Sequence, residues 1–101
     1  MPRTIVVLPT YDEAENLPLI VPQILEQSPD LEVLVVDDNS PDGTGKLADD
    51  LVAASSRVHV LHRSNKQGLG AAYRAGIAHA LLLGADQVIQ MDADFSHPPD
   101  Q

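Results

Sequence analysis

Four short apolar runs dominate the chain: Ile5-Val6-Val7-Leu8, Leu31 to Val36, Val58 to Leu61 and Val88-Ile89-Gln90-Met91. A strand wetted on one face alternates apolar and polar residues, whereas largely unbroken runs are expected of strands covered on both faces. Helical stripes separate them. From Ala14 onward, Leu17, Ile20, Val21, Ile24 and Leu25 lie on one helical face, with Asn16 placed to cap the helix and Pro18 suited to its first turn. Pro22 would remove an interior hydrogen bond and is expected to kink it. The second stripe is Leu47, Ala48, Leu51 and Val52, with Asp49 and Asp50 on the wet side and Ser55-Ser56 as the stop. Small residues make up most of the third: Ala71, Ala72, Ala75, Ala78, Leu81 and Leu82, ended by Gly84. The order βαβαβαβ predicts an α/β fold, a three-layer Rossmann-like parallel sheet with right-handed crossovers; if it follows the doubly wound pattern, the strand order is 3-2-1-4.

Composition narrows the function classes. The chain has 101 residues, 44% of them hydrophobic, enough for one small domain. A formal net charge of −9 repels phosphate at long range and argues against nucleic-acid partners. Without cysteine there is no disulfide framework, thiolate zinc site or cysteine nucleophile. No apolar run approaches the roughly 20 residues that cross a bilayer. Met1-Pro2-Arg3-Thr4 leads directly into the first strand with no secretory signal, so a cytoplasmic location is expected. The fourth strand is followed only by Asp92 to Gln101, with no helix to cover it, so residues 1–101 are expected to be part of a longer chain.

Ligands of open parallel sheets bind outside the carboxyl ends of the strands. Three of those ends carry acids: Pro9-Thr10-Tyr11-Asp12-Glu13, Asp37-Asp38 and Asp92-Ala93-Asp94. In an extended stretch Asp92 and Asp94 point to the same side and suit a shared hard cation, Mg2+ or Mn2+. Such an ion would let an acidic protein hold a diphosphate. Asp38 either accepts a hydrogen bond from a base or ribose or caps the following turn, and Tyr11 either stacks on a base or covers the sheet edge. Gly68-Leu69-Gly70 lacks the later glycine of a dinucleotide fingerprint and reads as a turn. Arg63 and Lys66 read as solvated. His59, His62, His79 and His97 have no metal-ligand spacing, and His59 and His62 face opposite sides of their strand; only His97 lies close to an acidic motif, at Asp94. No Ser-His-Asp or P-loop pattern is present.

Three segments taken together, Leu8-Pro9-Thr10-Tyr11-Asp12-Glu13-Ala14-Glu15-Asn16-Leu17, Val35-Val36-Asp37-Asp38-Asn39-Ser40-Pro41-Asp42-Gly43-Thr44 and Met91-Asp92-Ala93-Asp94-Phe95-Ser96-His97-Pro98-Pro99, resemble the family 2 glycosyltransferases of GT-A fold. Within that family they are most similar to the polyprenol-phosphate (dolichol-phosphate) mannose synthases. Gly68 to Tyr73 resembles the corresponding helix start. The resemblance implies that residues 1–101 are the nucleotide-sugar-binding, N-terminal half of a GT-A domain, inactive alone. The implied reaction moves mannose from GDP-mannose to a polyprenol phosphate, at the inner face of the membrane in the full-length parent. Pro9, Tyr11 and Glu13 would line the nucleotide pocket, and Val36 and Asp38 would contact base and ribose. Asp92, Ala93 and Asp94 would hold metal and diphosphate, with Asp92 and Asp94 the catalytic pair. Ser96 replaces a glutamine found in some relatives, which weighs against a metal role for it.

Three alternatives stand beside this reading: a family 2 enzyme using a UDP-sugar, a noncatalytic nucleotide-binding module, and a response-regulator-like phosphoacceptor with Asp92 as acceptor. Against the last, a complete strand and helix precede the acidic pair, and no later strand supplies the expected hydroxyl and lysine. Finally, order 3-2-1-4 leaves the apolar fourth strand at an edge, so the chain is expected to self-associate there.

Overall fold

The computed structural model describes residues 3–10, 15–37, 43–63 and 69–91, with Leu69 by its backbone alone. The described elements are β1 (Thr4–Thr10), α1 (Leu17–Gln27), β2 (Leu31–Asp37), α2 (Thr44–Ala54), β3 (Val58–His62), α3 (Leu69–Leu82) and β4 (Gln87–Gln90). All strand pairs are parallel and the order is β3-β2-β1-β4, as expected from the sequence. One face of the sheet carries Val6, Leu8, Val33, Val35 and Val58 under Leu17, Ile20, Val21 and Ile24 of α1 and Ala48 of α2. The other carries Ile5, Val7, Leu34 and Val36 under Ala72 and Ala80 of α3. The three layers and the α/β class are therefore those predicted.

Several details differ, each for a local reason. β1 continues through Pro9 to Thr10. Val7 turns its carbonyl toward the β4 side, where it accepts from the Met91 N–H at 3.1 Å. Pro9, two residues on, therefore presents its nitrogen to that same side, past the last β1–β4 pair, Val7–Gln90. Asn16 occupies the N-cap of α1 but makes no side-chain cap bond, because its backbone is already helical (φ −88°, ψ −33°). Its carbonyl instead accepts from Leu19 and Ile20 at 3.0 and 2.9 Å. α1 runs on through Pro22, which is exposed, so the bond it cannot donate is lost on the solvent side.

The largest correction concerns α3, whose first turn already includes Leu69 and Gly70, so these two belong to the helix rather than to a turn. Its buried face is Ala72, Gly76 and Ala80, spaced four apart, whereas Ala78 is exposed and Leu81 and Leu82 are 59% and 85% exposed. Closest approach to the sheet decides the face. A Cβ at Gly76 would sit 2.5 Å from Val7 Cγ1 and 2.8 Å from Val36 Cγ2. After Leu82 the chain turns at Gly84 (φ +98°). There Ala85 N–H bonds the Ala80 carbonyl at 3.1 Å and Gly84 N–H that of Leu81 at 3.0 Å, the paired pattern of a glycine helix stop.

The amino-terminal edge of the sheet is closed by ion pairs. Arg3 Nη2 and Nε donate to Glu32 at 2.7 and 2.9 Å, and a third guanidinium nitrogen donates to the Leu83 carbonyl. His59 Nε2 lies 2.8 Å from the same Glu32 carboxylate. Arg57 donates to the carbonyls of Leu31, Leu25 and Ser28, tying the end of α1 to the β2 entry.

Two outcomes follow from this packing. Gly76→Ala is expected to destabilise by about 1–3 kcal/mol in urea unfolding, since overpacking outweighs the ~1 kcal/mol by which alanine favours a helix. Gly70→Ala, whose added Cβ meets only the mobile end of Arg74 at 3.4 Å, should be neutral or stabilising by the same assay. The second outcome concerns acid. The Arg3 hydrogen bonds, opposed by burial and aided by His59, lower the Glu32 carboxyl from 4.5 to about 2. A depressed folded value contributes stability that is present above about pH 4.5 and is lost as pH falls toward 2. Glu32→Gln should remove that part of the acid dependence, leaving variant and unaltered chain closer in stability at pH 2 than at pH 7.

Candidate functional site

Because every described strand is parallel and each after β1 is reached by a helical crossover, the strand carboxyl ends and the helix amino ends share one edge. Helix amino ends carry partial positive charge, which offsets locally the negative charge of the chain. Pro9 and Thr10 of β1, Val36 and Asp37 of β2, His62 of β3 and the Gly43–Gly45 entry of α2 gather there.

Val36 is fully buried, its side chain under Gly76, and Pro9 is buried as well. A ligand contact at Val36 would therefore be made by its main chain. Tyr11, Glu13, Asp38, Asp92, Ala93 and Asp94, and with them His97 and Lys66, lie outside the described residues. Among the described residues no group of three or more His, Asp or Glu side chains is arranged to hold a metal. Of the expected site, then, the fold brings Pro9 and Val36 to the edge and fixes the strands from which the remaining segments leave.

Other residues at this edge have a geometry that sequence reading passed over. Thr10 and Asp37 are register partners in the last described rung of β1–β2 and project to the α1–α2 face with Leu8 and Val35. Thr10 Oγ1 lies 3.2 Å from Asp37 Oδ1 and 3.3 Å from the Val36 carbonyl oxygen. Asp37 is 3% exposed, and a Cβ at Gly45 would stand 2.8 Å from its Oδ2. The carboxylate is therefore pressed against the first turn of α2. Just past β3, the Arg63 N–H donates to the backbone carbonyl of Asp37 at 2.8 Å. Arg63 is half-buried rather than solvated. His62 reaches to Asp49 of α2 at 2.8 Å with both side chains exposed, while His59 turns to Glu32 on the opposite face, as their spacing requires. Parity held the missing signal: Thr10 continues the Val6, Leu8 face and Asp37 the Val33, Val35 face, so two polar residues end facing apolar columns.

Comparison with known proteins agrees with this architecture. Residues 5–101 match the family described as glycosyl transferase family 2. The polyprenol monophosphomannose synthase of Mycolicibacterium smegmatis is 55% identical over 100 residues, covering 98% of this chain and 38% of that protein. The undecaprenyl-phosphate mannosyltransferase of Micrococcus luteus is 50% identical over 99 residues, covering 98% and 41%. The chain thus spans about two fifths of the length of these relatives. Among solved structures, the Pyrobaculum calidifontis mannosyltransferase PcManGT, in complex with GDP-Man and Mn2+, superposes with a TM-score of 0.79 at 30% identity over 92% of this chain and 28% of that one. TarS of S. aureus in complex with UDP shares the fold, with a TM-score of 0.77 at 22% identity over 91% of this chain and 27% of that one. A β3-β2-β1-β4 parallel sheet under two helical layers, with the three acidic segments in order along a match that takes in nearly every residue, makes this chain a member of glycosyl transferase family 2.

Proposed function

We propose that the chain is the nucleotide-sugar-binding part of a metal-dependent enzyme that transfers mannose from GDP-mannose to a polyprenol phosphate. The observation that carries it is 55% identity to a polyprenol monophosphomannose synthase along 98% of the chain. The GDP-Man and Mn2+ of the PcManGT complex support the choice of donor and ion over a UDP-sugar. The family match also removes the ground for a receiver-like phosphoacceptor. No described helix is long and apolar enough to cross a membrane, which accords with a part that works beside the bilayer rather than within it.

On this reading Tyr11 and Glu13 line the nucleoside pocket and Asp38 accepts from base or ribose. Asp92 and Asp94 are the donor set for Mg2+ or Mn2+, two carboxylates being hard oxygen ligands of the kind these ions take. Held by Asp92 and Asp94, the ion would supply positive charge against the charge developing on the departing GDP. The acceptor phosphate is already anionic, so the chain has no need to supply a strong general base.

Calorimetry of the chain with GDP and with inorganic diphosphate, each with and without Mn2+, tests this. Asp94→Ala is expected to abolish the Mn2+ dependence of GDP binding, and in the whole enzyme to abolish mannosyl transfer with the fold intact. Asp38→Ala should weaken GDP far more than diphosphate, since diphosphate lacks the groups Asp38 meets. Undiminished transfer by Asp94→Ala would sink the metal assignment, and equal losses of both ligands in Asp38→Ala would remove that residue from nucleoside recognition.

We infer also that the chain on its own pairs with a second copy through β4. This strand is hydrogen-bonded to β1 alone among the described strands, and Ile89 on it is 43% exposed. Sedimentation over a range of concentrations should show dimers that Ile89→Lys shifts toward monomer. A monomer at every concentration before mutation would mean that the edge is covered some other way.

A further inference from the structure

We infer that Thr10, Asp37 and Gly45 form a clasp that sets the junction between the end of β2 and the start of α2, and through that junction the grip proposed for Asp38, without touching the nucleotide. The inference rests on the donor-binding reading above and assigns roles to three residues which that reading leaves idle.

Residues 38–42 join Asp37, the last residue of β2, to Gly43, the N-cap of α2. Asp37 holds both ends of that connection. At its start the carboxylate is bonded by Thr10 Oγ1 at 3.2 Å across the final β1–β2 rung. At its finish Oδ2 lies against the first turn of α2, so close that a Cβ at Gly45 would stand 2.8 Å away. A buried carboxylate facing a helix amino end is favoured by the helix dipole, and its burial at 3% exposure keeps it from a ligand in the cleft. Asp37 is thus a positioning residue. Thr10 is 3% exposed and likewise unavailable for contact. Gly45 is required for its lack of a side chain, because any Cβ there must displace either Asp37 or the start of α2.

The consequence is selective. Loosening the clasp should weaken the grip on base and ribose assigned to Asp38, but not the diphosphate grip assigned to Asp92 and Asp94. A merely structural role would weaken both ligands together.

The test measures GDP and inorganic diphosphate binding in Mn2+ for the 101-residue chain and its variants, with circular dichroism to check folding. Thr10→Val, which keeps the shape and β preference but removes the hydroxyl, should weaken GDP by about tenfold and leave diphosphate unchanged, the scale expected for coupled neighbours. Thr10→Ser should retain binding, and Gly45→Ala should repeat the Thr10→Val pattern from the other end of the connection. In a double-mutant cycle, Thr10→Val added to Asp38→Ala should cost GDP affinity nothing further, since the clasp acts only through Asp38. Additive losses in that cycle, equal losses of both ligands, or full GDP affinity in both Thr10→Val and Gly45→Ala would each overturn the clasp. Absence of GDP binding by the unaltered chain is a different result: it overturns the donor reading, and this inference with it.

Discussion

Two central strands with no water on either side set the terms for the rest of the molecule. From Ile5 to Leu8 and from Val33 to Val36 every side chain is essentially inaccessible. Burying both faces of a sheet needs a helical layer on each, and the parallel connections supply them: α1 and α2 over one face, α3 over the other. The α3 layer is held by a near-contact of backbone with side chains at Gly76, which lets the helix lie directly on Val7 and Val36. A larger residue there would lift the helix and open the layer beneath Ala72 and Ala80.

That arrangement also sorts the polar groups by edge. At the amino-terminal edge Arg3, Glu32 and His59 satisfy one another, and Arg57 satisfies carbonyls of Leu25, Ser28 and Leu31. These charges are spent on closing the sheet. At the opposite edge the strands end, the helices begin, and the three acidic segments follow in sequence, so a ligand proposed to bind there would meet both helix dipoles and carboxylates. In a chain of net charge −9, a diphosphate is held more easily where helix amino ends and a divalent ion offset the acids around it. Thr10 and Asp37 close β1 and β2 at this edge, directly before two of the segments proposed to do the binding.

The strand runs and the α1 and α2 stripes were legible because each rests on strong local contrast: β-branched runs against turn formers, and Leu or Ile against exposed acids at helical spacing; the strand order followed only from the general pattern of doubly wound sheets. The acidic segments were legible as a set for the same reason, being polar punctuation at the ends of apolar runs. α3 was not legible to the same depth. Alanine and glycine carry little preference for a face, so Leu81 and Leu82 drew the expected stripe toward themselves. Proximity to Val7 and Val36 selected Ala72, Gly76 and Ala80 instead.

By itself, then, the sequence determined the class of fold and the segments that follow the carboxyl ends of the strands, since hydrophobic period and turn chemistry are local properties. The tertiary structure alone decided the order of the strands, which glycine must stay bare, how Pro9 is tolerated in a central strand and that Asn16 makes no side-chain cap. It also decided that Asp37 faces inward to Thr10 and Gly45. Each of these depends on the distance between atoms from elements far apart in the chain, and no local pattern of residues encodes such a distance.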